Sequence, residues 1–169
     1  MFFKKKATGT EELFAPMKGE YIEQTQIPDE IFAEGMLGTG CGIRPEEGVV
    51  YAPVDGRIVS VAETRHAVGI ETENKAELLI HVGMDTVELN GQGFEVFVKE
   101  GDKVVKGQKL LSCDLTYVEL KGFPTVTAFM VTNADQFEKI SIETGRNFAV
   151  SEKIGVQNNF YASPSYPSS

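Results

Sequence analysis

His66 and His81 are the only two imidazoles in the chain. Any reaction that needs a neutral nitrogen nucleophile or a proton relay near neutral pH must use one or both of them. His81 lies in Leu78-Leu79-Ile80-His81-Val82-Gly83, whose apolar neighbours predict a strand. The period of two puts Leu79 and His81 on one face and Leu78, Ile80 and Val82 on the other, so the imidazole emerges from an apolar surface. A histidine in such a strand is commonly a hydrogen-bonded core residue. Thr64 and His66 alter that reading only if their segment pairs with the His81 strand, which would bring a hydroxyl and a second ring within reach of the first. Spacing alone does not supply the pairing. The only cysteines, Cys41 and Cys113, stand apart without a Cys-x-x-Cys spacing, so they build neither a disulfide framework nor a four-ligand zinc site. No metal or other cofactor is expected, and a reducing cytoplasm is the expected location.

The elements that must position these side chains read as strands. Seventeen glycines and seven prolines punctuate short Val/Ile/Leu/Phe runs along the 169 residues, a pattern that predicts one all-β domain, an antiparallel sandwich or barrel. Two segments share a pattern: Phe14-Ala15-Pro16-Met17-Lys18-Gly19-Glu20-Tyr21-Ile22 and Tyr51-Ala52-Pro53-Val54-Asp55-Gly56-Arg57-Ile58-Val59. In each, proline then glycine leads into a strand through a turn, which predicts an internally duplicated architecture. Further strands are expected at Gly69 to Glu71, Ala76 to Val82, Gly93 to Val98, Lys109 to Cys113 and Thr125 to Val131. One or two short helices are expected, one starting at Pro28-Asp29-Glu30 and one over Thr132 to Ile140. Gly38-Thr39-Gly40-Cys41-Gly42 and Gly91-Gln92-Gly93 lack the third glycine of a dinucleotide fingerprint and read as turns.

A formal charge of -9 disfavours nucleic acid and anionic lipid and favours basic partner surfaces. No apolar run is long enough to span a bilayer. Residues 1–10 read as a flexible segment in which Phe2, Phe3 and three lysines could make weak membrane contact, and 156–169 read as a disordered, uncharged tail.

Glu77-Leu78-Leu79-Ile80-His81-Val82-Gly83-Met84-Asp85-Thr86-Val87-Glu88-Leu89 resembles the active-site signature of the glucose-type enzyme IIA family, the phosphocarriers of the bacterial phosphoenolpyruvate-dependent sugar phosphotransferase system. The similarity extends in order through Ile27 to Glu34, Met36 to Gly40, Tyr51 to Gly56, Glu63 to Ala67 and Glu100 to Gly107, so that about residues 11–155 form one carrier domain. The resemblance implies an antiparallel β-sandwich and a phosphoryl group carried on Nε2 of His81. It also implies His66 as the second active-site imidazole, with Thr64 hydrogen-bonded to the pair.

Asp29 and Asp85 match acidic positions around the family's active face, while Ile31, Phe32, Met36, Leu79 and Val87 match its apolar docking surface. The implied partners are the histidine phosphocarrier HPr as donor and a sugar-specific enzyme IIB/IIC permease as acceptor. Lys75 departs from the pattern, standing where the family has a glycine before the signature. Three other readings compete. A regulatory protein could bind through the same face without transfer. A LytM-type zinc peptidase would need ligands where Ile70 and Gly83 stand. A lipoyl or biotin carrier would need a modifiable lysine at a hairpin tip, whereas Lys18 lies in an entry turn.

Overall fold

The computed structural model describes residues 9–158. The expectations for Phe2 to Lys6 and for the last eleven residues lie outside them. The strands are β1 Thr10–Phe14, β2 Gly19–Glu23, β3 Thr39–Pro45, β4 Val49–Tyr51, β5 Gly56–Val61, β6 Ala67–Thr72, β7 Glu77–His81, β8 Phe94–Val96, β9 Lys103–Val104, β10 Lys109–Cys113, β11 Thr127–Val131, β12 Ile140–Ile142, β13 Arg146–Phe148 and β14 Lys153–Asn158. Two short helices, α1 Glu30–Ala33 and α2 Leu115–Leu120, complete the fold. The strand pairings are antiparallel, in an eight-stranded sheet ordered β13-β2-β3-β11-β7-β6-β5-β9 and two three-stranded sheets, β1-β14-β12 and β4-β10-β8.

The Ala-Pro repeat marks a duplication that runs through the three sheets of the described residues. Reading the large sheet from either edge gives matched strands, β13 with β9, β2 with β5, β3 with β6 and β11 with β7; β1-β14-β12 likewise matches β4-β10-β8. The two repeat copies bind each other reciprocally: Phe14 N–H donates to Pro53 O at 3.1 Å and Tyr51 N–H donates to Pro16 O at 2.8 Å. Ala15 pairs with Ser151 and Glu152 through its backbone, and Ala52 pairs with Gly107 and Gln108 in the same way. Gln108 Oε1 accepts from Val105 N, and Glu152 Oε1 accepts from Ala149 N at the equivalent corner. Proline lacks the N–H but keeps a carbonyl to offer, which is why the motif tolerates it at this crossing.

The main core collects one face of the central strands, including Leu78, Ile80, Val82, Phe129 and Val131, with Tyr21, Ile43, Ile58 and Ile70. A smaller apolar cluster of Ile27, Phe32, Met84, Ala128 and Met130, with Leu79 and Val126 against it, lies on the opposite face. The alternation expected around His81 is therefore present.

Several expectations need correction. The segment Thr132 to Ile140 forms only a single 3-10 turn, Ala134–Gln136, before β12. Asn133 does not cap a helix there, because its amide donates to Lys75 O and accepts from Glu77 N at the start of β7, and Phe137 turns extended to enter the core. Gly40 and Gly42 belong to strand β3 and are not turn residues. A Cβ on Gly40 would stand 1.9 Å from Phe129 O, so glycine here permits close strand approach. Helix α2 was not anticipated, although Asp114 accepts from Tyr117 N as an N-cap would. Ordered pairing continues through Val156–Asn158 on β14, with Gln157 fully buried, so these three residues do not belong to a disordered tail. Lys75 adopts φ 68° in the turn between β6 and β7, the left-handed conformation a glycine would take without strain.

Candidate functional site

His81 ends β7 and faces Ala67 on β6 and Ala128 on β11. The β6 pairing continues one residue upstream, where Val82 N–H donates to His66 O at 2.8 Å. That register brings the imidazoles together, with ring centroids 4.7 Å apart and planes at 85°. His66 is 6% exposed and its ring lies 6.4 Å from that of Phe94, whereas His81 is half-buried. The Thr64 hydroxyl and His66 Nδ1 are hydrogen-bonded at 2.8 Å, across a turn in which Arg65 takes φ 65°.

The other ring is fixed by backbone. His81 Nδ1 lies 2.9 Å from Gly83 O. A carbonyl can only accept, so Nδ1 carries the proton and the neutral ring keeps its lone pair on Nε2. Gly83 reaches this position at φ +76°, and a Cβ there would meet Thr86 Cγ2 at 2.5 Å and Pro124 O at 3.0 Å. Thr86 is buried and donates to Val82 O at 2.6 Å, closing the turn beneath the carbonyl.

Both imidazoles favour neutrality. Burial, reinforced by the neighbouring His81, pushes His66 down to about 4 against an opposing hydrogen bond to the Thr64 backbone carbonyl. Burial also lowers His81, while the Gly83 carbonyl and the charges of Asp29 and Asp85 act in the other direction. Burial likewise raises the thiols of Cys41 and Cys113, the latter to about 12, which makes them poor nucleophiles. Among the described residues no group of three or more His, Cys, Asp and Glu side chains is placed to hold a metal ion.

Two segments border the imidazole pair. Asp29 caps α1 by accepting from Ile31 N at 2.9 Å and Phe32 N at 3.4 Å. This one-turn helix puts Ile31 in solvent and turns Phe32 inward, where it is 4% exposed and tilted against His81 at 5.0 Å between centroids. Phe32 is therefore not on the surface, as the docking expectation required; it is part of the wall behind the His81 ring, because α1 packs over the smaller apolar cluster. Leu79 is half-buried at the same cluster. Ile31, Met36 and Val87 are 48%, 70% and 51% exposed, and Leu37, which the sequence reading did not single out, is 40% exposed. Asp85 is exposed at φ 62° ahead of the 3-10 turn Thr86–Leu89. Thr86 and Phe94 were also missed; they act through buried packing and backbone bonds, which no motif advertises.

Known proteins resemble this chain along most of its length. Residues 11–137 match the family described as phosphoenolpyruvate-dependent sugar phosphotransferase system, EIIA 1. The chain is 45% identical over 132 residues to a glucose-specific EIIA component of Staphylococcus epidermidis, covering 78% of this chain and 80% of that one. It is 40% identical over 153 residues to a glucoside-specific EIICBA component of Staphylococcus carnosus, covering 90% of this chain and 22% of that longer protein. The glucose permease IIA of Mycoplasma capricolum superposes with a TM-score of 0.82 at 34% identity, over 92% of this chain and 99% of that one. The chain therefore belongs to the EIIA family of the sugar phosphotransferase system, whose members are phosphotransferase components working through a phosphohistidine.

Proposed function

We propose that Nε2 of His81 is the atom that carries the phosphoryl group, taking it from the phosphohistidine of HPr and passing it to a sugar-specific enzyme IIB, in the cytoplasm. The observation that carries this reading is the hydrogen bond from His81 Nδ1 to Gly83 O, which leaves an unprotonated Nε2 beside a second imidazole. The Nε2 lone pair forms a bond to phosphorus as the nitrogen–phosphorus bond of the donor breaks, and the departing imidazole keeps that electron pair. The His81 ring becomes cationic, and the Gly83 carbonyl shares its remaining N–H. In the tautomer in which the Thr64 hydroxyl donates to Nδ1, His66 holds its proton on Nε2 and can give a hydrogen bond to a phosphoryl oxygen.

Ile31, Met36 and Val87 offer apolar area, with Asp29 and Asp85 near the imidazole, and this suits a partner with an apolar centre and basic rim. The fused EIICBA relative, in which an EIIA region shares a chain with IIB and IIC, supports a IIB acceptor. Among the described residues no helix is long and apolar enough to cross a membrane.

Incubation with phosphoenolpyruvate, enzyme I and HPr tests the reading. Acid-labile label should appear in the wild type and be absent in His81→Gln. His66→Gln should accept label but pass it slowly to enzyme IIB. Label retained in His81→Gln would overturn the assignment.

A further inference from the structure

Strand β2 stops short of the site it supports. Its last pair joins Glu23 to Cys41, and the chain then enters the 3-10 turn Gln24–Gln26 while β3 extends on to Thr39. The Gln24 side chain occupies the place a longer strand would fill. Its Nε2 donates to Gly38 O at 3.0 Å and its Oε1 accepts from Gly40 N at 3.0 Å, so the carboxamide bonds to both sides of Thr39 as a neighbouring peptide unit would. The second amide hydrogen reaches Phe32 O at 2.8 Å, on α1. One half-buried side chain thus ties the end of β3 to the helix that carries Phe32 and is capped by Asp29.

We infer that Gln24 is a positioning residue for phosphoryl transfer, its amide clamping the α1 segment to β3 so that Phe32 stays against the His81 ring and Asp29 stays within electrostatic reach of it. This rests on the reading of His81 as the carrier. Gln24 touches neither imidazole; it acts through a helix of four residues, too short to hold its place by its own hydrogen bonds. Phe32 contributes to the burial that lowers His81, and Asp29 opposes it. Releasing the clamp lets water reach the ring, and because burial is the larger cause, the His81 titration should move upward.

The experiment uses the full chain and two variants, Gln24→Met, which keeps the bulk and loses all three bonds, and Gln24→Ala, which also removes the stem. Asn133→Ala serves as the control, since it deletes a comparable amide network at the opposite end of β7. Imidazole resonances followed by NMR over pH, together with the rate of labelling by phospho-HPr, give the readouts. In both Gln24 variants the His81 midpoint should rise toward ~6.5 and labelling should slow by about tenfold or more, while Asn133→Ala changes neither. Unchanged titration and rate in Gln24→Met, or the same shift in Asn133→Ala, would overturn the inference. Absence of label on wild-type His81 would instead remove the functional reading, and the titration would still report whether Gln24 positions the ring.

Discussion

Replacing His66 by glutamine should make the protein less sensitive to acid. In the folded chain His66 titrates at about 4, against 6.5 for an ordinary imidazole. Protonation therefore favours the unfolded state: the stabilising contribution is complete above 6.5 and is lost as pH falls toward 4. Between pH 7.5 and pH 5 the linkage relation gives a loss of about 2 kcal/mol from this one ring, roughly a 30-fold change in the folding equilibrium. At 6% exposure the group has little access to solvent screening. Urea unfolding of both proteins at pH 7.5, 6 and 5 measures the difference, and His81, present in both, cancels to first order. The wild type should lose about 2 kcal/mol more than His66→Gln over that range. Equal acid losses, or a His66 resonance titrating near its ordinary value, would refute the reasoning that burial holds this ring neutral.

Lys75→Gly should stabilise the chain by about 0.5–1 kcal/mol in urea, because the left-handed turn it occupies penalises a side chain. Asp29→Asn keeps an N-cap acceptor but removes the charge that raises His81, so the His81 NMR midpoint should fall further below that of the wild type. Gly83→Ala would drive a Cβ against Thr86 and Pro124 O and displace the carbonyl that fixes His81. It should lose more than about 1 kcal/mol in urea and accept label more slowly, even though both histidines remain.

The strand around His81 was legible because the apolar run of Leu78, Leu79, Ile80 and Val82 surrounds it, and one of its faces joins the main core. The pairing with His66 was not, since it depends on a register set by the turn from Ala62 to Arg65 and by the Val82–His66 backbone bond. The repeat announced a duplication, but its second marks are poorly matched in sequence: Gly107-Gln108 corresponds to Ser151-Glu152, and only the shared corner hydrogen bonds reveal the equivalence. Phe32 was expected outside because the resemblance grouped it with Ile31 on a docking surface; a helix of one turn decides which of the two faces inward. The expected helix over Thr132 to Ile140 had suitable end residues, but a distant strand captured Asn133. Gln24 gave no local signal, since its three partners are backbone atoms at other positions in the chain.

The duplication also bears on how much cargo the proposed carrier can hold. Matching Gly19 opposite Pro45 to Gly56 opposite Thr72, and Ile43 opposite Thr127 to Ile70 opposite Leu78, puts Thr39 where the other half has His66 and Met130 where it has His81. The two stations are diagonal neighbours on adjoining strands, since Met130 faces Leu79 and His81 faces Ala128, which sets them ~7–8 Å apart. Two phosphoryl dianions at that separation would repel by about 2 kcal/mol even in water. A buried thioether in the twin station leaves His81 as the single loading point that the proposed function allows.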